Sequence, residues 1–446
     1  MPTTIQTLGE VQQSWIIELV ADPGRHDRVN LLYWNGTREQ IQTRLMLSHK
    51  DQTVYKPARL DPSVLRAVYL PTGAADYGTT RQLFDALCSV LNRFTSQADH
   101  HIALLANAVL ASWVVESTES PISVVLAGPE GSTRRQLFRL LRCLFRRALI
   151  LNRASLASLC ALPMDLSPSL FIEYCEPGLA LHEFLRATSS REACVAAKGR
   201  LLNLACAKVF CVDDPLNHCF GDCPVLEIPT VPNAAPMPFL DYRAQREILE
   251  EFQPKLLKYR LLNLARVRDF HFDRIGLETS SAEVTDCLAS SVPEDAELQR
   301  SVAERMKKQE GGFSKGSRGF FRKTVLEALL TLCHRTTQNT LTVGEITRAA
   351  NQLLAGAGEI LALEARAVGD ILRSLRLPTE RLGPQGRGLV LLKNVQRCLH
   401  AIATDYEIDL RNTAPKDCQI CLEIDPNYRT QNPLDSITPK ELNTNS

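Results

Sequence analysis

The segment V-L-A-G-P-E-G-S-T-R-R-Q-L-F-R, residues 125–139, holds the residues best suited to binding a phosphate. An apolar run enters a glycine-containing turn and leaves it as a helix, so backbone N–H groups converge where an anion could sit. In a loop of the form G-x-x-x-x-G-K-[ST], the second glycine admits the backbone, the lysine reaches the β- and γ-phosphates, and the hydroxyl ligates Mg2+. Laid on that pattern, Gly128-Pro129-Glu130-Gly131-Ser132-Thr133-Arg134-Arg135 keeps the first glycine and a Gly131-Ser132 turn. Thr133 replaces the second glycine, Arg134 the lysine and Arg135 the magnesium ligand. A guanidinium can hold phosphate, although its fork fits differently from an ammonium. Arg135 removes an oxygen ligand and brings a fixed positive charge to the place of a cation that accepts only oxygen.

The acidic partner is altered too. In S-L-F-I-E-Y (169–174), Glu173 stands where a magnesium-coordinating Asp is expected, and Tyr174 where a hydrolytic ATPase carries a carboxylate to orient water. A phenol neutral near pH 7 is a poor substitute. The pattern predicts a P-loop fold that has lost hydrolysis. Any ATP would be held by Gly128, Gly131, Ser132, Thr133, Arg134 and Arg135 without a normal Mg2+ site, and Glu173 is the candidate catalytic group. A weakly active ATPase and a chance match of the loop are the alternatives.

The surrounding elements suit such a site. Strand-like runs at 121–127, 147–151, 169–174, 206–212 and 224–229 alternate largely with helical segments, as in a parallel sheet with α/β layering. Residues 1–72 form a small β-rich unit with a tight turn at Asn35-Gly36, and 75–240 form the P-loop core with its preceding helices. Residues 102–115 are too short for a bilayer span and predict a buried core helix. Then come a helical lid (241–306), a Gly/Ser/Lys-rich basic linker (307–323) and a unit at 324–410 with helices near 324–334, 343–354, 362–375 and 393–404. A β-wing before the last of these makes the unit a winged helix. A polar tail, 411–446, is expected to be disordered. The linker contains Gly312-x-Ser314-x-Gly316, the letters of a nucleophile elbow, but without the preceding strand that motif needs.

Several surfaces could meet nucleic acid. Arg135, Arg139, Arg142 and Arg146 recur at spacings of four, three and four, which gives one helix face. Arg366, Arg373 and Arg376 lie on the recognition helix, with Arg381 and Arg387 on the wing. Phe313, Phe320 and Phe321 among the linker cations would suit single-strand stacking. Each set is also readable as solvated surface. For metals, Cys418-x-x-Cys421 and His218-Cys219-x-x-x-Cys223 are the only temptations, and joining them would bring distant segments together, so no metal is expected.

The totals bound the rest. The 446 residues carry a net charge of +1, so nucleic-acid binding requires a local patch. Fourteen cysteines, mostly single within apolar runs, suit a reducing cytoplasm, and the N-terminus lacks a secretory pattern.

Taken in order, the strand, G-P-E-G-S-x-R-R, helix, S-L-F-I-E-Y, K-V-F-C-V-D, V-L-E-I-P, helical lid and winged helix resemble the AAA+/superfamily 3 helicase-type module of phage and plasmid primase–helicase proteins. The resemblance spans about residues 75–405 and implies DNA as a partner, a replication or mobile-element setting, and a homo-oligomer or an active ATPase partner subunit. Lys198 or Arg200 would be the remnant of its arginine finger. Priming is not implied, since no carboxylate cluster precedes the module. The expected role is a DNA-binding or scaffolding subunit. The rivals are an active DNA-dependent ATPase or helicase, and a winged-helix regulator.

Overall fold

The computed structural model describes residues 3–47, 53–128, 130–153, 155–175, 179–197, 199–212, 223–230, 237–270, 279–311, 318–336, 338–358, 362–375, 377–406, 408 and 418–424. They divide into two units, Met1–Lys308 and Gln309–Ser446. The first is built on a five-stranded parallel sheet. Across it run the strands Leu226–Pro229, Ser123–Ala127, Lys208–Val212, Ser169–Ile172 and Ala148–Leu151. The strand feeding the glycine loop, Ser123–Ala127, therefore lies between Lys208–Val212 and Leu226–Pro229, the last two strands of the sheet in sequence.

Alternate residues of these strands enter two cores. Val124, Leu126, Val209 and Ile228 face helices Thr80–Phe94, Asp99–Trp113, Ser132–Leu144 and Tyr242–Arg268. Val125, Ala127, Phe210, Leu170 and Ile172 face Ile17, Leu19, Leu31 and Tyr55 from the N-terminal strands. Burial on both faces explains why the strands read as unbroken apolar runs instead of alternating ones. Each fully buried Leu, Val or Phe contributes about 1.5–3 kcal/mol. In helix Asp99–Trp113, every residue from His101 to Trp113 is buried, in line with the core helix expected there.

The N-terminal strands form an antiparallel meander, Gly9–Val11, Ile16–Asp22, Arg25–Trp34 and Glu39–Gln42, beside a smaller sheet in which Thr3–Thr7 pairs with Thr53–Pro57. Asn35 closes its turn by accepting from the backbone N–H of Thr37 and Arg38, and Gly36 adopts φ +91, a region that favours glycine.

Arg146 does not belong to the basic helix face. The helix ends at Leu144, and the chain turns inward before Arg146, which is 2% exposed. Its guanidinium meets Glu18 at 2.9 Å and Glu116 at 3.0 Å. Arg147 meets Glu18 at 2.6 Å, and Arg260 meets Glu18 and Glu116, each at 2.6 Å. Two carboxylates and three guanidiniums thus join the N-terminal strands, the segment after the core helix and the long helix Tyr242–Arg268. Burial raises the Glu18 carboxyl, but Arg146, Arg260 and Arg147 outweigh it and hold Glu18 at about 2.

The second unit runs helix Arg318–Arg335, strand Thr340–Thr342, helices Val343–Gly356 and Ala365–Ser374, strands Glu380–Arg381 and Arg387–Val390, helix Lys393–Asp405 and a short helix Gln419–Ile424. Its three strands form one antiparallel sheet. Most of the expected linker is helical instead. Residues 307–311 end helix Ala296–Gly311, and 318–323 begin helix Arg318–Arg335, where Phe321 is fully buried. Phe321 is therefore core and not a stacking platform. Gly312, Phe313, Ser314 and Gly316 lie outside the described residues.

Candidate nucleotide site and its basic surroundings

The strand Ser123–Ala127 delivers Gly128 to the carboxyl edge of the parallel sheet, where α/β proteins place ligands. Gly128 has φ +143, and a Cβ there would lie 2.4 Å from the carbonyl oxygen of Thr230, so only glycine fits. Its N–H donates to Val212 O at 3.0 Å. Gly131 is the extended N-cap of helix Ser132–Leu144, which has no side-chain cap, and the Arg135 N–H donates to Gly131 O. Pro129 lies outside the described residues.

The two arginines turn toward protein. Arg134 is 6% exposed, and its Nη1 donates to Gly128 O at 2.7 Å and to Val212 O at 3.1 Å. It caps carbonyls at the end of the sheet, where the loop pattern would send a lysine to the phosphates. Arg135 is exposed and pairs with Glu130 at 3.0 Å across the mouth of the loop. Ser132 is exposed and Thr133 half-buried.

A cavity of about 420 Å3 opens here, lined among others by Glu130, Gly131, Arg134, Arg135, Glu173 and Tyr174. Glu173 follows the strand Ser169–Ile172, is exposed, and holds its backbone N–H on Leu151 O at 3.2 Å. The structure thus brings Glu173 to the loop, as the sequence pattern requires. Tyr174 lies under the Arg153 guanidinium, 5.4 Å from Cζ to ring centroid. Arg153 adds a third cation to the cavity wall, and no motif pointed to it.

Arg139, exposed, and Arg142, half-buried, border a second depression of about 460 Å3 that shares Phe138 and Glu173 with the first. Phe239 and Tyr242 on its rim are 73% and 79% exposed. The expected stripe therefore survives in part: Arg135, Arg139 and Arg142 share a surface, and Arg146 leaves it. Arg200 is exposed on a short hairpin, Val195–Ala197 with Arg200–Leu202, and Lys198 lies outside the described residues.

In the second unit Arg366, Arg373, Arg381 and Arg387 are all exposed. Arg373 pairs with Asp370 at 2.8 Å on its own helix. Arg381 and Arg387 sit directly opposite each other on adjacent strands. Arg376 lies outside the described residues, as do His218 and Cys219, while Cys223 is buried against the sheet. Cys418 and Cys421 sit beside His334 and His400, two histidines that no spacing in the sequence connects to them.

Among the described residues, no helix is long and apolar enough to cross a membrane. No known protein family matches this chain, and no curated protein matches it. Among solved structures it is similar to the A form apo structure of the NrS-1 C-terminal region (305–718), with a TM-score of 0.29, and to the apo structure of the same region, with a TM-score of 0.32. In both cases the identity is 11%, and the match covers 84% of this chain and 96% of that one.

Proposed function

We propose that this chain is a nucleic-acid-associated protein with a degenerate P-loop core, deficient in hydrolysis, that serves as a DNA-binding or scaffolding subunit in a phage- or mobile-element-type replication setting. One observation carries the reading. The two guanidiniums at the lysine and magnesium-ligand positions are already engaged, Arg134 on Gly128 O and Val212 O and Arg135 on Glu130. A divalent cation beside Arg135 would meet like charge instead of an oxygen ligand. Calorimetric titration of the full chain with ATP tests it, and the expected result is weak binding that is the same with and without Mg2+. Tight binding that requires Mg2+ would overturn it.

An active ATPase is the second reading, favoured by the cavity that Glu173 shares with the loop. Hydrolysis that is stimulated by DNA and abolished in Glu173→Ala would decide for it.

The DNA-binding half of the proposal rests on the second unit. Its order of helix, strand, two helices and two strands supports a winged-helix reading, in which Ala365–Ser374 would be the recognition helix and Glu380–Val390 the wing. Like charges directly opposite on paired strands destabilise a sheet, so Arg381 against Arg387 is a costly pair in the absence of an anion. A phosphate between them would relieve that cost. In the Arg381→Glu/Arg387→Glu variant, duplex DNA affinity is expected to fall more than tenfold, and the log–log salt slope to drop by about 2, one for each phosphate contact. Fluorescence anisotropy at several salt concentrations reads both. Unchanged affinity removes the wing from the interface.

A further inference from the structure

We infer that the second unit contains a structural zinc site formed by His334, His400, Cys418 and Cys421. One ligand atom from each of the four side chains lies within 4.8 Å of all the others. The two Nε2 atoms are 2.9 Å apart, Cys418 Sγ is 3.6 Å from His400 Nε2, and Cys421 Sγ is 3.5 Å from His334 Nε2. Around one zinc, Zn–N and Zn–S bonds of about 2.1 and 2.3 Å at tetrahedral angles put N···S at about 3.6 Å and N···N at about 3.4 Å. Two of the six edges thus match those of one tetrahedron, the two nitrogens need part by only about half an ångström, and the remaining three edges are no longer than 4.8 Å.

Local structure aims each donor. His334 closes helix Arg318–Arg335, and His400 lies inside helix Lys393–Asp405. His400 directs Nδ1 at Gln396 O, 2.7 Å away, so its proton belongs on Nδ1 and Nε2 is the lone-pair nitrogen facing the cluster. That backbone carbonyl is the outer partner that ligating histidines ordinarily have. Cys418 immediately precedes helix Gln419–Ile424, and Cys421 is three residues on, which puts both thiols on one face. His400 and Cys421 are buried, and His334 and Cys418 half-buried.

The donor set selects the metal. Two imidazoles and two thiolates in tetrahedral array suit Zn2+, which has no geometric preference of its own. Four protein ligands leave no open position for water or substrate, so the site is structural and not catalytic. It clips three helices together across 87 residues of chain, from 334 to 421, and reinforces a short helix that also packs on Lys393–Asp405 and pairs Glu423 with Arg397 at 3.1 Å. The zinc site is independent of what the loop at 128–135 binds.

The full chain, purified without chelator under reducing conditions, is expected to contain one zinc per molecule by elemental analysis. After exchange with Co2+ it should show the ligand-field bands of a tetrahedral site and a thiolate-to-cobalt charge-transfer band. Cys418→Ser/Cys421→Ser should lose both the metal and the bands, and Cys333→Ser should keep both. His400→Gln, which retains both thiols, should bind Co2+ at least tenfold more weakly. Metal-free wild-type protein that takes up neither ion would overturn the site. So would zinc retained by the double cysteine variant, or a Cys418–Cys421 disulfide that forms instead of the metal complex.

Discussion

Replacing Glu18 by Gln should lower the stability of the Met1–Lys308 unit by about 3–5 kcal/mol, the range for breaking a buried ion pair by removing one partner. Glu18 is 2% exposed and accepts from Arg146, Arg147 and Arg260. Without its charge, Arg146 and Arg260 would keep only Glu116, and Arg147 would lose its carboxylate partner. The loss is electrostatic, since Gln nearly preserves the volume of Glu. Trp15, Trp34 and Trp113 all lie in this unit, so tryptophan fluorescence during urea unfolding reports on it alone. The same carboxylate sets an acid limb. Its folded value of about 2 lies below the ordinary 4.5, so its stabilisation is fully present above pH 4.5 and is lost as pH falls toward 2. At 1.36 kcal/mol per unit, that loss amounts to about 3 kcal/mol. The variant should show a correspondingly flatter decline over this window. A Glu18→Gln protein within 1 kcal/mol of the parent would contradict the assigned network.

The second large effect concerns the loop. The triple variant Thr133→Gly/Arg134→Lys/Arg135→Ser restores the three lost features together: a close backbone approach, an ammonium and a hydroxyl ligand. It also frees Glu130 and removes the cation whose charge opposes Mg2+. ATP affinity in the variant should be at least tenfold tighter with Mg2+ than without, a gain of about 1.4 kcal/mol, while the parent shows no such difference. Glycine at 133 and the loss of the Arg134 bonds to Gly128 O and Val212 O should cost the helix start about 1 kcal/mol in return. Hydrolysis is expected to stay low, because Tyr174 still stands where a water-orienting carboxylate belongs. If Mg2+ tightens the parent as much as the variant, the guanidiniums move aside and the degenerate reading fails. If neither parent nor variant responds to the nucleotide, the loop is not a nucleotide site.

Local pattern made much of this architecture legible. The five parallel strands fall within the expected runs, as 123–127 within 121–127 and 226–229 within 224–229, because strands buried on both faces stand out as short apolar blocks. Helix Val343–Gly356 begins at the residue expected, where Thr342 and Glu345 form a capping box. Glu173 could be placed at the loop because parallel strands all end at the same carboxyl edge of the sheet, where the glycine turn also lies. What escaped the sequence depends on long-range contacts. Arg146 continued a three-and-four spacing, but periodicity does not announce that a helix stops at Leu144, nor that Glu18, 128 residues away, waits for the charge. His334 and His400 are 66 residues apart on separate helices, so only folding reveals that they face Cys418 and Cys421. The glycines and lysines near 312 suggested a flexible tether, yet Phe321 anchors the flanking segment in a core.

The carboxylate on strand Ile16–Asp22 also governs how the molecule can be dissected. A recombinant fragment starting near residue 75 would remove Ile17, Leu19, Leu31 and Tyr55 from the core they share with Val125, Phe210 and Ile172, and would deprive three arginines of the Glu18 carboxylate. The first seventy residues thus behave as a built-in part of the core and not as a detachable appendage, so dissection belongs at the boundary of the two units and beyond the end of helix Ala296–Gly311.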